Sequence, residues 1–407
     1  MASFSIALSG LTAANADLDV TANNVANANT VGFKSSVTQF ADVYAAGATN
    51  LNTTVTGEGV RVASTAQQFT QGNITTTSSN LDLAISGNGF FTLKDANGYV
   101  YSRNGQFQED SGGNVVSATG QALQVYPPLA SGGFNTGTLQ DLNLQTSLSA
   151  PSATTSGTVA LNLPANATAP TVTPFDPTNP QTYNQSTSTT VYDSLGNAYP
   201  ATFYFVQSAT PNQWNVYMTA NGTQVGGAQS LSFSSTGAVS APAGGTLGFN
   251  GFTPPGGANP MNMTFNFGTT TQYGSQFGVN SLTQNGYATG QLSTVSIDPS
   301  GIVSAVYTNG RSTQLGQVAL ANFPNPQGLK QLGNTNWSET YASGNVVQGA
   351  AGSAGFGSIQ AGALESSNVD LTNELVNMIT AQRAFQANAE VITTANQLSQ
   401  TVINMAH

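Results

Sequence analysis

The sequence predicts a mainly β protein with α-helical termini, in which the N- and C-terminal helices pair as a coiled-coil-like arm. Three observations support this fold class. Apolar residues recur every seven positions at both ends of the 407-residue chain, which is the spacing of a helical seam. Between the ends, apolar and polar residues alternate over short runs. Gly, Asn and Ser turns separate these runs, as expected for half-buried strands joined in hairpins.

The N-terminal helix is predicted from four consecutive seven-residue repeats. Its large seam residues are Phe4, Leu11, Leu18 and Val25. A smaller residue follows each of them three positions later, at Ala7, Ala14, Thr21 and Ala28. Gly32 is the expected C-terminal glycine of this helix. We therefore assign residues 1–33 to a terminal helical segment.

The C-terminal helix is predicted from the same spacing. Its seam residues are Leu364, Leu371, Met378, Phe385 and Ile392, and Leu375 widens the stripe. Asp370 is a suitable N-cap, and Glu374 places a negative charge in the first turn. The helix itself is expected to run from about Leu371 to about Met405, roughly 50 Å at 1.5 Å per residue. The helical segment as a whole is assigned to 364–407.

The other faces of both helices carry few charges and are rich in Asn, Thr and Ala. Asn and Thr are weak helix formers, and most helices in proteins are stabilised mainly by packing. Two arrangements would supply that packing. The helices can pair only with each other as an intramolecular hairpin, or neighbouring copies of the chain can complete the contacts. We favour the second arrangement, a polymer built through the terminal helices.

The segment between the helices is predicted to contain two β domains, one inserted into the other. Hairpins are expected at 90–102 and 190–206, and Met261, Met263, Phe265 and Phe267 alternate with polar residues in the clearest strand. From 147 to 283 the only charged residues are Asp176 and Asp193. The resulting division is an extended connector at 34–69, an inner β domain at 70–146 and 284–363, and an inserted outer β domain at 147–283.

Composition argues against several classes of function. The chain has 7 Lys and Arg residues against 17 Asp and Glu residues, a net charge of −10. Nucleic acid is therefore not an expected partner, because phosphate backbones are held chiefly by basic side chains. There is no Cys, and the single His is His407. This removes Ser/His/Asp and Cys/His catalytic arrangements and Cys/His metal sites.

We therefore expect no enzymatic activity, no catalytic residues, no cofactor and no metal site. Gly87-Asn88-Gly89 lacks the lysine and the spacing of a phosphate loop and is interpreted as a tight turn before a strand. No apolar run approaches the ~20 residues of a membrane span, so membrane insertion is not expected. The N-terminus lacks the basic region of a secretory signal peptide, and export is expected to proceed without a standard cleavable signal.

Four segments carry a recognisable signature. They are 23–34 with Asn23, Asn24, Asn27, Gly32 and Phe33; 80–91 with Gly87, Gly89 and Phe90; 102–107, which reads Ser-Arg-Asn-Gly-Gln-Phe; and 367–388 with Asn368, Asp370, Gln382 and Arg383. In this order and at these places they resemble the axial proteins of the bacterial flagellum, the family of rod and hook subunits.

The four segments do not separate rod from hook subunits. Two features favour the hook. A typical rod subunit is much shorter, and the segment 191–197, which leads to the aromatic run 203–205, is similar to the one that opens the outer domain of hook subunits. The alternatives are a distal rod subunit and, from another class, a surface adhesin or glycan-binding β protein. An adhesin would not need helical seams at both ends.

The resemblance implies a secreted structural protein of the bacterial flagellum. It would polymerise with itself into a helical tube, the hook, which acts as a flexible universal joint and carries torque from the motor and rod to the filament. The other implied partners are rod proteins, hook–filament junction proteins, the hook cap and the flagellar export apparatus. The implied location is the hook of the basal body, outside the cell after export through the flagellar channel.

Overall fold

The computed structural model describes residues 2–43, 57–144 and 148–405. Residues 44–56 of the predicted connector, the predicted domain boundary at 146/147 and His407 lie outside these ranges. Helix α1 comprises Ala2–Ala26 and helix α2 comprises Leu371–Met405, with β-strands between them. The predicted fold class is confirmed. Neither helix combines the length and hydropathy required to span a bilayer.

The strands follow one another between the two helices. They are β1 (Ser36–Asp42), β2 (Val60–Gln67), β3 (Ile74–Thr76), β4 (Leu83–Ser86), β5 (Phe90–Asp95), β6 (Gly98–Ser102), β7 (Phe107–Glu109), β8 (Val115–Ser117), β9 (Ala122–Tyr126), β10 (Gln140–Asp141), β11 (Ser156–Pro164), β12 (Gln185–Tyr192), β13 (Ala198–Gln207), β14 (Gln213–Ala220), β15 (Thr223–Phe233), β16 (Val239–Ala241), β17 (Thr246–Phe252), β18 (Met261–Asn266), β19 (Thr271–Tyr273), β20 (Gly278–Gln284), β21 (Leu292–Ile297), β22 (Ile302–Tyr307), β23 (Ser312–Asn322), β24 (Lys330–Gly333), β25 (Asn336–Ser338), β26 (Val347–Ala350), β27 (Ser358–Ala361) and β28 (Ala363–Glu365).

The chain divides into two compact units. The first comprises 1–145, 295–305 and 313–407, and the second comprises 146–294 and 306–312. The sequence placed the end of the outer domain at 283, eleven residues before the first break of the second unit. The chain beyond 283 continues to pair with the start of that unit, because Tyr287 bridges to Ser152 and Gly290 bridges to Ser149.

The first unit is built around a sheet in the order β21-β22-β23-β9-β5-β6-β25-β24. The predicted hairpin at 90–102 is confirmed as β5 and β6, which pair antiparallel. One face buries an aliphatic core that includes Leu93, Leu123 and Val318. A separate aromatic cluster surrounds Trp337, whose ring lies 5.7 Å from that of Phe90 and whose Nε1 donates a 2.6 Å hydrogen bond to Gln67 Oε1.

The second unit has two sheets that share one core. The first runs β12-β13-β14-β15-β16, and the second runs β17-β18-β11-β19, with β20 also paired to β11. The predicted alternation at 261–267 is confirmed, because Met261, Met263 and Phe265 are buried in β18 between exposed polar residues. They pack in the same core as Phe203 and Trp214 of the other sheet.

A five-residue turn recurs between the strands. The N–H of its first residue donates a hydrogen bond to the carbonyl of its fifth residue. The N–H of its fourth residue, a glycine, donates to the carbonyl of the first residue. The described chain repeats it at 110–114, 117–121, 129–133, 193–197, 234–238, 298–302 and 307–311. The glycine adopts φ near +80° (Gly196, +85°), which side-chain-bearing residues rarely adopt. The turn is a three-residue hairpin loop ending in a G1 bulge.

The described parts of the predicted extended connector form a paired ribbon. Strands β1 and β2 pair with each other antiparallel, with a bulge at Gln39/Phe40, and both lie against α1. The N–H of Val60 donates a 3.1 Å hydrogen bond to Ser9 Oγ on the helix. A ribbon forms because it satisfies backbone N–H and C=O groups that an unpaired extended segment would leave open.

Two helix boundaries also differ from expectation. Helix α1 ends at Ala26 rather than at Gly32, because the chain turns through i→i−3 bonds such as Ala28 N–H to Val25 O. The predicted seam position Leu364 is not helical. It lies in β28, paired with β3. Its sevenfold spacing from Leu371 is coincidental, since the chain between them is extended up to the cap of α2.

Candidate functional site

The two terminal helices pack against each other in antiparallel orientation. Two contacts define their register. Asn24 Nδ2 donates to Glu374 Oε1 at 3.2 Å, and a Cβ added to Gly10 would lie 2.6 Å from Asn388 Oδ1. Residue i of α1 is therefore level with residue 398 − i of α2. The start of α2 meets the end of α1, and both lie where the helices join the β region.

Small residues form the closest part of this helix contact. Ala7, Ala14 and Thr21, which the sequence placed at the second seam position of α1, are all buried, as is Ala381 on α2. Gly10 has no side chain to separate the backbones at the level of Asn388. Small side chains allow the two helix backbones to approach closely, so the pairing relies on van der Waals contact more than on large apolar knobs.

The large predicted seam residues remain partly accessible. Leu11, Leu18, Val25, Met378, Phe385 and Ile392 are half-buried, whereas Phe4, Leu371 and Leu375 are exposed. A single copy of the chain thus covers only one side of the seam that the sevenfold spacing defines. Their role as contacts in a polymer stays a prediction.

Asn24 attaches the end of α1 to the first strand. Its Oδ1 accepts from Ser36 N–H at 2.9 Å, and its Nδ2 donates to Ser36 O at 2.8 Å as well as to Glu374. The side chain is almost fully buried. One amide therefore joins α1, β1 and the first turn of α2, and no aliphatic side chain could replace its three hydrogen bonds.

Asn368 and Asp370 attach the start of α2. Asn368 Oδ1 accepts from Ser35 N–H at 2.7 Å, and its Nδ2 donates to Gln68 O at 2.7 Å. Asp370 Oδ1 accepts from Thr372 N–H at 2.9 Å, so its predicted role as the N-cap of α2 is confirmed. The segments on either side of the β1–β2 ribbon are thereby held to the base of α2.

A buried ionic cluster lies beneath these attachments. Glu365, in β28, receives Lys34 Nζ on Oε1 at 2.6 Å and Arg103 Nη1 on Oε2 at 3.1 Å. Gly72 N–H also donates to Glu365 Oε1 at 2.8 Å, and Lys34 Nζ donates to Thr70 O at 2.7 Å. These are the ion pairs of the described chain, and all three side chains are almost fully buried.

Burial and charge act in opposite directions in this cluster. Burial lowers the pKa of Lys34 and the pKa of Arg103, whereas the Glu365 carboxylate opposes both shifts by Coulomb attraction and hydrogen bonding. With Glu365 present, each cation has a partner, and the carboxylate receives donors from three different segments. The cluster joins the chain after α1, the strand before α2 and the end of β6.

Three of the predicted motif segments meet at this cluster. Arg103 Nη2 donates to Gly87 O at 2.9 Å, and its guanidinium lies 5.4 Å from the centre of the Phe90 ring. Gly32 has φ +70°, and a Cβ there would lie 2.5 Å from the backbone nitrogen of Asn104. The next residue, Phe33, is buried. Gly32 thus allows the chain after α1 to pass close to the backbone of Asn104.

Other motif residues lie elsewhere. Asn23 and Asn27 bond to each other at the end of α1, with Asn27 Nδ2 2.8 Å from Asn23 Oδ1. Gln382 and Arg383 are exposed on α2. Gly89, with φ +123°, precedes β5.

Sequence reasoning did not foresee that Glu365 closes an ionic cluster. Lys34 and Arg103 lie within the motif segments 23–34 and 102–107. A usable signal was present, because three of the seven basic residues fall inside motif segments, and a charged side chain needs a partner when it is buried. The identity of that partner required the fold.

Comparison with protein-family models identifies four matching regions. The models are described as "Flagella basal body rod protein" at 4–34, "Flagellar hook protein FlgE/F/G D1 domain" at 84–174, "Flagellar basal body protein FlaE D2 domain" at 162–287, and "Flagellar basal body rod FlgEFG protein C-terminal" at 360–405. The terminal matches cover the two helices and their attachments.

Characterised relatives match over nearly the whole chain. The flagellar hook protein FlgE of Escherichia coli K12 is 40% identical, covering 99% of this chain and 99% of its own. The FlgE of Salmonella typhimurium is 41% identical, covering 99% of this chain and 100% of its own. The FlgE of Borreliella burgdorferi is 34% identical, covering 98% of each chain.

A solved structure agrees at the level of the fold. The crystal structure of Helicobacter pylori flagellar hook protein FlgE2 superposes with a TM-score of 0.52 at 14% identity, covering 72% of this chain and 100% of that one. Paired terminal helices, the four signature segments and relatives of about 40% identity along the whole chain lead to one conclusion: this chain belongs to the family of flagellar hook proteins FlgE, structural subunits of the bacterial flagellar hook.

Proposed function

We propose that this chain polymerises through α1 and α2 into a helical tube that works as a flexible universal joint, carrying torque from the motor and rod to the filament. The observation that carries the proposal is the apolar surface that the helix pair leaves uncovered. Leu375 and Ile379 on α2 are each half exposed. Large exposed apolar patches on soluble proteins commonly mark interaction surfaces.

The far end of α2 strengthens this proposal. The helix register places Ala2 level with position 396, so residues 397–405 continue beyond the first described residue of α1. Three apolar side chains of this extension, Leu398, Val402 and Met405, are 64%, 61% and 74% exposed. A neighbouring copy that covered them would remove this surface from water, at about 25 cal/mol per Å² of apolar area.

The attachment of the helices suits a part that transmits load. Asn24, Asn368 and the Glu365 cluster connect both helices to the β region through short, buried polar contacts. Separating the partners of a buried ion pair would leave uncompensated buried charges. The free-energy cost of doing so resists separation of the segments that the pair joins. Force on the helix pair therefore reaches the β-strands of the first unit through a stiff junction.

The second unit suits bending. Between 147 and 283 the only charged side chains are Asp176 and Asp193, and Asp193 is buried within its own turn. Contacts between uncharged surfaces can shift between neighbouring positions without breaking an ion pair. We infer that such contacts allow neighbouring copies to slide as the tube bends on each turn.

The remaining expectations belong to the same proposal. Rod proteins, junction proteins, the hook cap and the export apparatus are proposed as partners, and export is proposed to occur without a cleavable signal. Absence of catalytic activity is proposed because the family is structural. A distal rod subunit is the less favoured alternative, since the named relatives are hook proteins along their full length. An adhesin is disfavoured by the same matches.

Assembly of the purified chain tests the proposal. Concentrated protein should form tubes visible by negative-stain electron microscopy, and a motile bacterium that lacks its own hook gene should regain hooks when supplied with this chain. A chain that stays monomeric at high concentration and restores no hooks would contradict a polymer-forming role.

A further inference from the structure

A groove lies between α1, α2 and β1 in the first unit. It has a volume of about 260 Å³, compared with roughly 30 Å³ for one water in the liquid, so it has room for a side-chain head group. Its lining includes Asp17 of α1, Thr38 and Phe40 of β1, and Glu374 and Asn377 of α2. The groove therefore combines two carboxylates, an aromatic ring and uncharged polar groups.

The two carboxylates are close enough to affect each other. Burial raises the pKa of Glu374, the nearby charges of Asp17 and Asp370 raise it further, and hydrogen bonds from Asn24 and Asn377 act in the opposite direction. No basic residue forms an ion pair with Asp17 or Glu374 within 2–43, 57–144 and 148–405. The groove is thus an acidic site without a cation of its own.

Thr38, in the lining of the same groove, is a further polar group. Thr38 is only 7% exposed, and its Oγ1 makes no hydrogen bond in the described chain. A buried hydroxyl without a hydrogen-bond partner is destabilising. This oxygen is covered by neighbouring atoms, so an incoming N–H donor reaches it only if the lining shifts. An acceptor-only group entering the groove would be repelled by Asp17 and Glu374.

Arg383 is a cation without a partner on the helix pair. It is the sole basic residue in the sequence of α1 and α2, it is exposed, and its guanidinium makes no ion pair in the described part of the chain. No acid lies three or four positions from it, where a helix could supply one. Glu374, nine positions earlier, is about 13 Å away along the axis, too far for an ion pair within one copy.

We propose that the groove of Asp17, Thr38 and Glu374 receives the guanidinium of Arg383 from a second copy of this chain. The inference rests on the proposed polymer and assigns one of its contacts. A guanidinium supplies several N–H donors in a planar fork, enough for both carboxylates of the groove, Asp17 and Glu374. Its flat face also matches the Phe40 ring. When assembly buries Arg383, the carboxylates of Asp17 and Glu374 then compensate its charge.

Charge reversal tests this contact. Arg383→Glu and Glu374→Arg should each raise the concentration needed for tube formation by about tenfold or more, because like charges then meet across the interface. An equal mixture of the two variants should assemble at close to the wild-type concentration, since every contact can again join opposite charges. A single chain carrying both changes should also assemble. Arg61→Glu and Glu390→Arg, exposed charges outside the groove, serve as matched controls and should behave as wild type.

The outcomes separate this inference from the proposed function. If wild-type protein forms no tubes, the proposed function fails and the inference fails with it. If wild-type tubes form and Arg383→Glu forms them equally well, the inference alone is refuted. It is also refuted if Arg61→Glu blocks assembly while Arg383→Glu does not, or if neither the mixture nor the double variant restores assembly. Circular dichroism of each variant shows whether the β units remain folded.

Discussion

Replacement of Glu365 by Gln should strongly destabilise the first unit. The amide keeps nearly the same shape but removes the carboxylate that faces Lys34 Nζ at 2.6 Å and Arg103 Nη1 at 3.1 Å. Both cations lie in an almost completely buried site, so water cannot replace the lost partner. The substitution leaves two uncompensated buried charges.

The magnitude follows from the burial. Removing one partner of a buried ion pair typically costs about 3–5 kcal/mol. Since 1.4 kcal/mol corresponds to a factor of ten, the ratio of folded to unfolded first unit should fall by between about one hundredfold and several thousandfold. Lys34→Met should cost less, because Glu365 then keeps Arg103 as its partner.

The two tryptophans provide a separate reporter for each unit. Trp337 lies in the aromatic cluster of the first unit and Trp214 in the core of the second. In a Trp214→Phe background, urea unfolding of the full chain followed by Trp337 fluorescence reports the first unit. Glu109→Gln, an exposed carboxylate on β7, is the matched control and should change stability by no more than about 0.5 kcal/mol.

A small effect would refute the reasoning. If Glu365→Gln lowered the free energy of unfolding by less than about 1 kcal/mol, the cations would have to be solvated or neutral, contrary to their burial and pairing. The cluster could not then be the junction that fixes the helices to the β region.

Three further predictions concern assembly and the second unit. Deleting 2–26 or 371–407 should abolish tube formation, as seen by electron microscopy, but leave the β units folded, as seen by circular dichroism. Tubes formed by either truncated chain would contradict a polymer built through the helices. Leu18→Asp should block tube formation, because the new carboxylate must be buried without a partner. Asp176→Ala, a change at an exposed position, should leave tube formation intact. Equal numbers of tubes from the two variants would argue against Leu18 as a helix-seam contact. Asp193→Ala should cost about 1–3 kcal/mol in urea unfolding, because its turn loses several hydrogen bonds; an unchanged midpoint would contradict this.

The Asp193 prediction has a pH dependence of known sign. Burial alone raises the pKa of Asp193, but hydrogen bonds from Asn197, Leu195 and Tyr199 outweigh it and lower the pKa below 3.8. The unfolded chain therefore binds the proton first as pH falls. The stabilisation is fully present above the unfolded pKa and is lost as pH falls through the lower folded pKa. In a Trp337→Phe background, unfolding followed by Trp214 fluorescence at pH 5 and pH 3 should show this loss when Asp193 is present and a smaller loss in Asp193→Ala.

Local patterns in the sequence determined a large part of this fold. The sevenfold spacing and the Asp370 cap located α2 at Leu371–Met405, because helix periodicity and capping involve residues only a few positions apart. Strict alternation located β18, and a Gly-containing turn located the β12–β13 hairpin. The motif segments were sufficient to indicate the family.

Only the tertiary structure decided how these elements are joined. Leu364 continues the sevenfold spacing but lies in a strand, because its pairing with Thr75 depends on residues 289 positions away. Glu365 meets Lys34 and Arg103 across 331 and 262 residues. No local period encodes contacts between positions so distant. The tertiary structure therefore determines which carboxylate faces which cation. It also determines which side of the helix pair stays open to a second copy.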